Sequence, residues 1–188
     1  MQVILDSWDA AALQSEALSA GLSATDDYGL ELMVTAGANQ GFVNLILALC
    51  DPGDEVILLL PYYFSHYCAL LLADAIPVIV PCERSTLLPA GSHTIQAAMT
   101  SKTRAVVLVS PGNPSGVVMP ACFVNELVSI CRKRDVWLII DEAYKELTGD
   151  APHYSPPQLT GVIKLYTMSK IYGMAGWRVG ALLYPRHL

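Results

Sequence analysis

The chain has 188 residues, of which 53% are hydrophobic and 15% are charged, so it can form one domain with a sizeable core. Its net charge of -6 disfavours nucleic acid as a partner, because a polyanion is repelled and no run of Lys and Arg offers a basic groove. The apolar runs fall short of a membrane span, and the N-terminus lacks the basic region of a signal peptide. The five cysteines are odd in number and include no C-x-x-C pair, which indicates reduced core residues and an intracellular, cytoplasmic protein. No metal site is predicted.

Short runs of Val, Ile and Leu alternate with longer amphipathic segments from Leu32 onward, which is typical of a mainly parallel sheet covered by helices. Strands are predicted at Leu32–Thr35, Val56–Leu60, Ile76–Val80, Arg104–Ser110, Val136–Ile140, Val162–Thr167 and Arg178–Tyr184. Helices are predicted at about Asn39–Cys50, Phe64–Ala73, Thr94–Met99 and Pro120–Arg134.

The remaining segments are predicted to be a leading segment and loops. Residues 1–31 are expected to form a partly helical N-terminal segment before the main domain at residues 32–188, with weak helical spacing from Leu13 to Ala24. Turn-forming residues predict loops at Asp51–Asp54, Pro111–Gly116 and Pro152–Pro157.

A carboxylate follows a predicted strand whose apolar side chains indicate central burial. Asp141 comes directly after Val136–Ile140, and open α/β sheets bind ligands at the carboxyl ends of their strands. Facing a pyridine nitrogen, this carboxylate would keep the nitrogen protonated and make the ring an electron sink. The alternatives are that Asp141 caps a turn, or pairs with Lys145 or an arginine.

Further polar and aromatic residues lie near the ends of predicted strands. Asn113 and Tyr144 could donate hydrogen bonds to a phenolate oxygen and so lower the pKa of an imine beside it. Asn113 is also a common turn former, and Tyr144 could be a core aromatic. Of Tyr62, Tyr63 and Phe64, one ring could stack on a cofactor ring, and packing explains the other two.

Two segments could bind an anionic aldehyde. The turn from Thr35 to Gly41 leads from a strand into a helix, so its amides could bind a phosphate, although a simple tight turn fits as well. Lys170 lies among small and turn-forming residues, and Arg178 follows eight positions later. A lysine amine can form a Schiff base with an aldehyde, and a guanidinium can hold a phosphate. The ordinary alternatives are a solvated lysine and an arginine paired with a carboxylate.

Five motifs together carry a resemblance to a known family. They are, in chain order, Ala36-Gly37-Ala38-Asn39, Pro61-Tyr62-Tyr63, Asn113-Pro114-Ser115-Gly116, Asp141-Glu142-Ala143-Tyr144, and Ser169-Lys170 with Arg178. In these motifs, the chain from about Leu32 to Pro185 resembles the class I/II aminotransferases of fold type I, which use pyridoxal phosphate. The resemblance implies the large domain of that family: a three-layer α/β fold with helices on both faces of a mostly parallel, seven-stranded sheet and an antiparallel last strand.

The resemblance also implies a role for each motif residue. Lys170 would be the Schiff-base lysine, Asp141 would face the pyridine nitrogen, and Tyr63 would be the stacking ring. Asn113 and Tyr144 would contact the phenolic oxygen. The phosphate would be held by residues of the turn and of the lysine segment, namely Gly37, Ala38, Asn39, Ser169 and Arg178.

On this resemblance, the expected function is an aminotransferase that moves an amino group between an amino acid and a 2-oxo acid and works as a homodimer. The wording of Pro61–His66 and Tyr172–Trp177 is most similar to plant and cyanobacterial aromatic or methionine aminotransferases. Family members are longer, so the chain is expected to lack a C-terminal small domain that grips the substrate carboxylate.

Three other functions are alternatives to an aminotransferase. The chain could be a truncated fragment that binds pyridoxal phosphate without catalysis. It could also be another pyridoxal phosphate enzyme of the same fold, such as a lyase or a cyclopropane-forming synthase. A Rossmann nucleotide-binding domain is disfavoured, because neither G-x-G-x-x-G nor a P-loop lysine motif occurs.

Overall fold

The computed structural model describes residues 29–157, 159–186 and 188. Its strands are β1 (Leu30–Thr35), β2 (Glu55–Leu60), β3 (Ile76–Pro81), β4 (Thr103–Val109), β5 (Trp137–Asp141), β6 (Val162–Thr167) and β7 (Gly180–Pro185). Its helices are α1 (Ala38–Leu49), α2 (Phe64–Leu72), α3 (Ser92–Ala98) and α4 (Ala121–Arg134), with a short 3-10 helix at Ala175–Trp177. The predicted alternation of strands and helices is confirmed, with element ends that differ by a few residues.

The strands form one seven-stranded sheet in the order β1-β7-β6-β5-β4-β2-β3. Strand β7 runs antiparallel to both neighbours, β1 and β6, and every other neighbouring pair is parallel. The predicted fold class, with its antiparallel last strand, is therefore confirmed. Because the parallel strands point the same way, the loops that follow β2, β4, β5 and β6 all leave the same edge of the sheet.

Apolar cores lie on both faces of the sheet. Helices α1 and α2 cover one face, where Phe42 and Leu70 pack against strand residues such as Ile139. Helices α3 and α4 cover the other face, where Leu127 packs against residues such as Leu138. A strand buried on both faces needs apolar side chains at successive positions, which is why the central strands are continuous runs of Val, Ile and Leu.

The two edges of the sheet differ in their protection. Strand β3 forms one edge and contains Pro77 and Pro81, which have no N–H to offer to a further strand. Strand β1 forms the other edge, and its Val34 side chain is 70% exposed. No helix among the described residues is long and apolar enough to cross a membrane.

The last strand, β7, begins later than the sequence predicts. Arg178 was expected to start it, but this residue follows the short 3-10 helix with φ 53° and ψ 51°, and the strand begins at Gly180. The left-handed conformation of Arg178 is incompatible with an extended strand and turns its side chain back towards the α1 turn. The predicted loops at 111–116 and 152–157 contain no helix or strand. Leu13 to Ala24 lies outside the described residues, and the division at residue 31 stays a prediction.

Candidate active site

Most of the predicted site residues follow the carboxyl ends of strands at one edge of the sheet. Tyr63 follows β2 and Asn113 follows β4, Asp141 and Tyr144 end or follow β5, and Ser169 and Lys170 follow β6. Gly37, Ala38 and Asn39 join β1 to α1, and Arg178 lies before β7. The structure arranges them in three groups.

The first group surrounds Asp141, whose side chain is only 7% exposed. Its Oδ2 lies 3.1 Å from Nε2 of His66, and its Oδ1 accepts a hydrogen bond from the Ala143 amide at 2.9 Å. The turn-capping alternative is therefore correct as a local contact. Of the possible cationic partners, Lys145 has its Nζ 3.5 Å from Oε1 of Glu146. Each Asp141 oxygen still has a lone pair for a further donor.

The sequence prediction missed the role of His66. This residue lies in α2 one helical turn after Tyr63, and the two ring centroids are 5.3 Å apart at an interplanar angle of 87°. The centroid of the Phe42 ring lies 4.1 Å from that of the His66 ring. The available signal was the spacing, since helix positions three apart share a face and His66 follows Tyr63 by three. Packed against two aromatic rings, His66 can hold the Asp141 carboxylate in one orientation.

The second group brings an amine to two hydrogen-bonding side chains. Nζ of Lys170 lies over the Tyr144 ring, 5.2 Å from its centroid. Nδ2 of Asn113 donates to Oη of Tyr144 at 3.4 Å. Lys170 is exposed, whereas Asn113 and Tyr144 are half-buried. Three separate loops thus deliver one nucleophilic amine and two donors to the same place.

The third group is a cationic turn at the start of α1. Arg178 donates through Nη2 to the Ala36 carbonyl at 3.4 Å and through Nη1 to the Ala175 carbonyl at 3.1 Å. Neither acceptor is an anion, so these contacts leave the guanidinium charge uncompensated. The first N–H groups of α1, at Ala38 and Asn39, have no carbonyl one turn earlier within the helix. Ser169 is half-buried, and its amide donates to Oγ1 of Thr167.

Two glycines allow the third group to form. Gly37 has φ +86°, and a Cβ added there would lie 2.5 Å from Nη2 of Arg178. A Cβ added at Gly180 would lie 2.6 Å from the Ala38 nitrogen. A larger residue at Gly37 would displace the Arg178 guanidinium, and a larger residue at Gly180 would push β7 away from the backbone of the α1 turn. The glycines therefore bring the Arg178 guanidinium onto the helix N-terminus, where both favour an anion.

The three groups fit the chemical features of pyridoxal phosphate. The cationic turn suits its phosphate, Lys170 suits its aldehyde, and Asn113 with Tyr144 suits its phenolic oxygen. The buried Asp141 carboxylate suits a protonated ring nitrogen. Among the described residues, no cluster of three His, Cys, Asp or Glu side chains could hold a metal ion.

Comparisons with known proteins give the same family. The family model for aminotransferase class I and II matches residues 17–188. An aromatic aminotransferase of Arabidopsis thaliana is 37% identical over 161 residues, which are 84% of this chain and 41% of that protein. A probable aspartate/prephenate aminotransferase of Thermus aquaticus is 35% identical over 88% of this chain and 43% of its own length.

Solved structures agree with the sequence relatives. A Thermus thermophilus aspartate aminotransferase double mutant has a TM-score of 0.81 and 32% identity over 84% of this chain and 42% of that one. An aromatic aminotransferase from Pyrococcus horikoshii has a TM-score of 0.78 and 30% identity over 92% of this chain and 49% of that one. The chain thus spans less than half the length of these relatives. By sequence and by fold, it belongs to the class I and II aminotransferases, a family that depends on pyridoxal phosphate.

Proposed function

We propose that this chain binds pyridoxal phosphate through Lys170 and carries the cofactor site of an aminotransferase that acts on an amino acid and a 2-oxo acid. The observation that carries the proposal is the convergence of Lys170, Tyr144 and Asn113 from three loops, beside a buried carboxylate at Asp141. The amine can bond to an aldehyde, the two donors can bind a phenolic oxygen, and the carboxylate can pair with a pyridine nitrogen.

Each group has a separate part in the proposed chemistry. When bound, pyridoxal phosphate supplies an electron sink that stabilises a carbanion at the substrate Cα. Lys170 would hold the cofactor covalently and, once displaced by the substrate amine, would carry the Cα proton. Asp141, fixed by His66, would keep the ring nitrogen protonated. Arg178 and the α1 turn would anchor the phosphate, and Tyr63 would stack on the ring.

Covalent attachment is the direct test of this proposal. The purified chain is incubated with pyridoxal phosphate, reduced with borohydride and digested, and the labelled peptide is identified by mass spectrometry. The label is expected on Lys170 and is expected to disappear in Lys170→Arg, which keeps the charge but cannot form the bond. A label on Lys102, Lys133, Lys145 or Lys164 would contradict the assignment.

The reaction type is tested separately from binding. The loaded protein is mixed with aromatic amino acids, methionine or aspartate, and the products are analysed. Transamination predicts a 2-oxo acid and a cofactor that has gained the amino group. Release of ammonia, or of an eliminated side-chain fragment, would instead indicate a lyase on the same fold.

We also infer a homodimer in the cytoplasm. Large apolar side chains are exposed in the described chain, including Phe64 at 67%, Leu72 at 82% and Trp177 at 75%, and such surface favours association with a second copy. The five cysteines are free thiols, which suits a reducing compartment. Light scattering should give a dimer mass, and a monomer that transaminates at assay concentration would contradict the dimer.

A further inference from the structure

A second carboxylate and histidine pair begins at the next residue of the chain. Glu142 follows Asp141, and successive residues of an extended chain point to opposite faces of a sheet. Its Oε1 lies 3.2 Å from Nε2 of His153. The Glu142 side chain is fully buried and that of His153 is 12% exposed, so this pair is almost as enclosed as Asp141 with His66.

Glu142 is a charged group in this interior. Burial alone raises the pKa of its carboxyl, but the hydrogen bond from His153, the positive charge of buried Lys164 and a hydrogen bond from Ser155 together outweigh burial and leave the pKa below its ordinary value. A buried carboxylate needs such partners to stay ionised. Of the contributions that lower this pKa, the hydrogen bond from His153 is the largest.

This hydrogen bond closes the loop that carries Tyr144. The Glu142 amide donates to the Leu165 carbonyl at 2.9 Å, which ties the start of the loop to β6. The loop then makes a turn in which the Leu147 amide donates to the Tyr144 carbonyl at 2.8 Å. Residues 142–153 contain no helix or strand, and the contact between Glu142 and His153 returns the far end of the loop to its start.

We propose that Glu142 and His153 form a clamp that positions Tyr144 for the cofactor, an inference that rests on the proposed function. A loop without regular structure has many conformations, and a buried, charge-assisted hydrogen bond across its ends removes most of them. The conformations that remain keep Tyr144 beside Asn113 and Lys170. Glu142 and His153 act through Tyr144 and are positioning residues.

Amide hydrogen exchange on the chain without cofactor tests the clamp itself. His153→Ala removes the contact, and His153→Gln keeps a side-chain N–H donor. Tyr154→Phe is the matched control, because the Tyr154 hydroxyl ties the same loop to α4 through Asn125 at 2.7 Å. Exchange at residues 143–147 should be about tenfold faster in His153→Ala, with β5 and β6 unchanged and the other two variants close to the unmodified chain. Unchanged exchange at 143–147, equal acceleration in Tyr154→Phe, or acceleration throughout the sheet would overturn the clamp.

A spectroscopic measurement tests the positioning of Tyr144. When Tyr144 donates to the phenolic oxygen, it lowers the pH midpoint at which the visible band of the bound cofactor changes. His153→Ala should raise that midpoint in the same direction as Tyr144→Phe, and His153→Gln should restore it. A normal midpoint in His153→Ala would overturn the positioning role. If the unmodified chain shows no visible band, the proposed function fails, and the exchange measurement still decides whether the clamp exists.

Discussion

The two halves of the candidate active site are held in different ways. Asp141 and His66 are 5% and 2% exposed, and both are fixed by the sheet and by the aromatic rings around them. Lys170 and Arg178 are exposed and lie in the loop between β6 and β7. The half that would face the cofactor ring is therefore ordered by folding, whereas the half that would hold the aldehyde and phosphate is ordered by local turns.

This difference has an energetic consequence. Fixing a long Lys or Arg side chain costs about 1.5–2 kcal/mol of conformational entropy, and for an exposed residue that cost falls on cofactor binding. In the buried half, the side chains already lose their conformational entropy when the chain folds. Substitutions in the buried half should therefore change the reaction rate, and substitutions of the phosphate-binding residues in the exposed half should mainly change cofactor affinity.

The largest expected effect is that of Asp141→Asn in the buried half. The variant keeps the shape and one acceptor oxygen but loses the charge that holds the ring nitrogen protonated. The rate of amino transfer from substrate to bound cofactor should fall about hundredfold or more, or about 2.7 kcal/mol of barrier. Stopped-flow loss of the visible band measures this rate, and a separate titration measures cofactor affinity, which should change much less.

A matched control exists in the same region. Asp150 is an exposed aspartate in the loop that follows β5, and Asp150→Asn should leave the rate unchanged. If Asp141→Asn transferred the amino group at a near-normal rate, Asp141 would have no role in activating the ring. If it lost affinity rather than rate, the proposed division between the two halves would be wrong.

In the exposed half, Gly37→Ala should weaken cofactor binding. The added Cβ would lie 2.5 Å from Nη2 of Arg178 and would push the guanidinium away from the α1 turn. Affinity for pyridoxal phosphate should fall by about tenfold or more, since charge-assisted contacts to the phosphate are lost. Equilibrium titration of the visible band gives the dissociation constant directly.

Gly53→Ala separates backbone strain from the clash at Gly37. Gly53 has nearly the same φ, +87°, but an added Cβ there would meet nothing within 4 Å. Both variants should lose about 1–2 kcal/mol of unfolding free energy from the unfavourable backbone conformation. Only Gly37→Ala should lose cofactor affinity, and an equal loss of affinity in Gly53→Ala would show that backbone strain, and not displacement of Arg178, weakens cofactor binding.

The sequence could predict what depends on local pattern. Continuous apolar runs predict the strands of a sheet buried on both faces, and the motifs place Lys170, Asp141 and Asn113 at or after the ends of those strands. The sequence does not predict contacts between elements that are distant along the chain. The partner of Asp141 is a histidine in α2, chosen by how that helix packs on the sheet, and no spacing between residues 66 and 141 encodes the contact.

Backbone conformation is another feature that the sequence pattern does not predict. Arg178 lies in a stretch with apolar residues on both sides, which is compatible with a strand by composition. Its left-handed φ of 53° follows from the close approach of Gly180 to the α1 turn, a tertiary contact that composition does not express. The pair of Glu142 and His153 was missed for the same reason, because it forms only when the loop between them folds back.

A smaller effect is expected from His66→Phe in the buried half. Phenylalanine fills the space between Phe42 and Tyr63 but cannot donate to Asp141, so the carboxylate stays and its orientation is less restricted. The transfer rate should fall about fivefold, or roughly 1 kcal/mol, in line with the loss of one hydrogen bond. In an Asp141→Asn variant, adding His66→Phe should lower the transfer rate little further. Fully additive losses of rate would mean that His66 acts independently of Asp141.

The smallest expected effect is a change in folding stability with pH, which depends on Glu142, the residue after Asp141. The folded chain holds the pKa of Glu142 below its ordinary value, so this carboxylate stabilises the fold at a pH above the unfolded pKa of about 4.3. The contribution is lost as pH falls through the lower, folded pKa.

Urea unfolding between pH 7 and about pH 3 should therefore show that Glu142→Gln is less stable than the unmodified chain at neutral pH. The gap, which is the difference in unfolding free energy between the two proteins, should narrow in acid. Glu146→Gln, at an exposed position of the same loop, should show no such narrowing. A gap that stayed constant across this range would mean that Glu142 is not an anion in the folded chain, and that its contact with His153 is an ordinary neutral hydrogen bond.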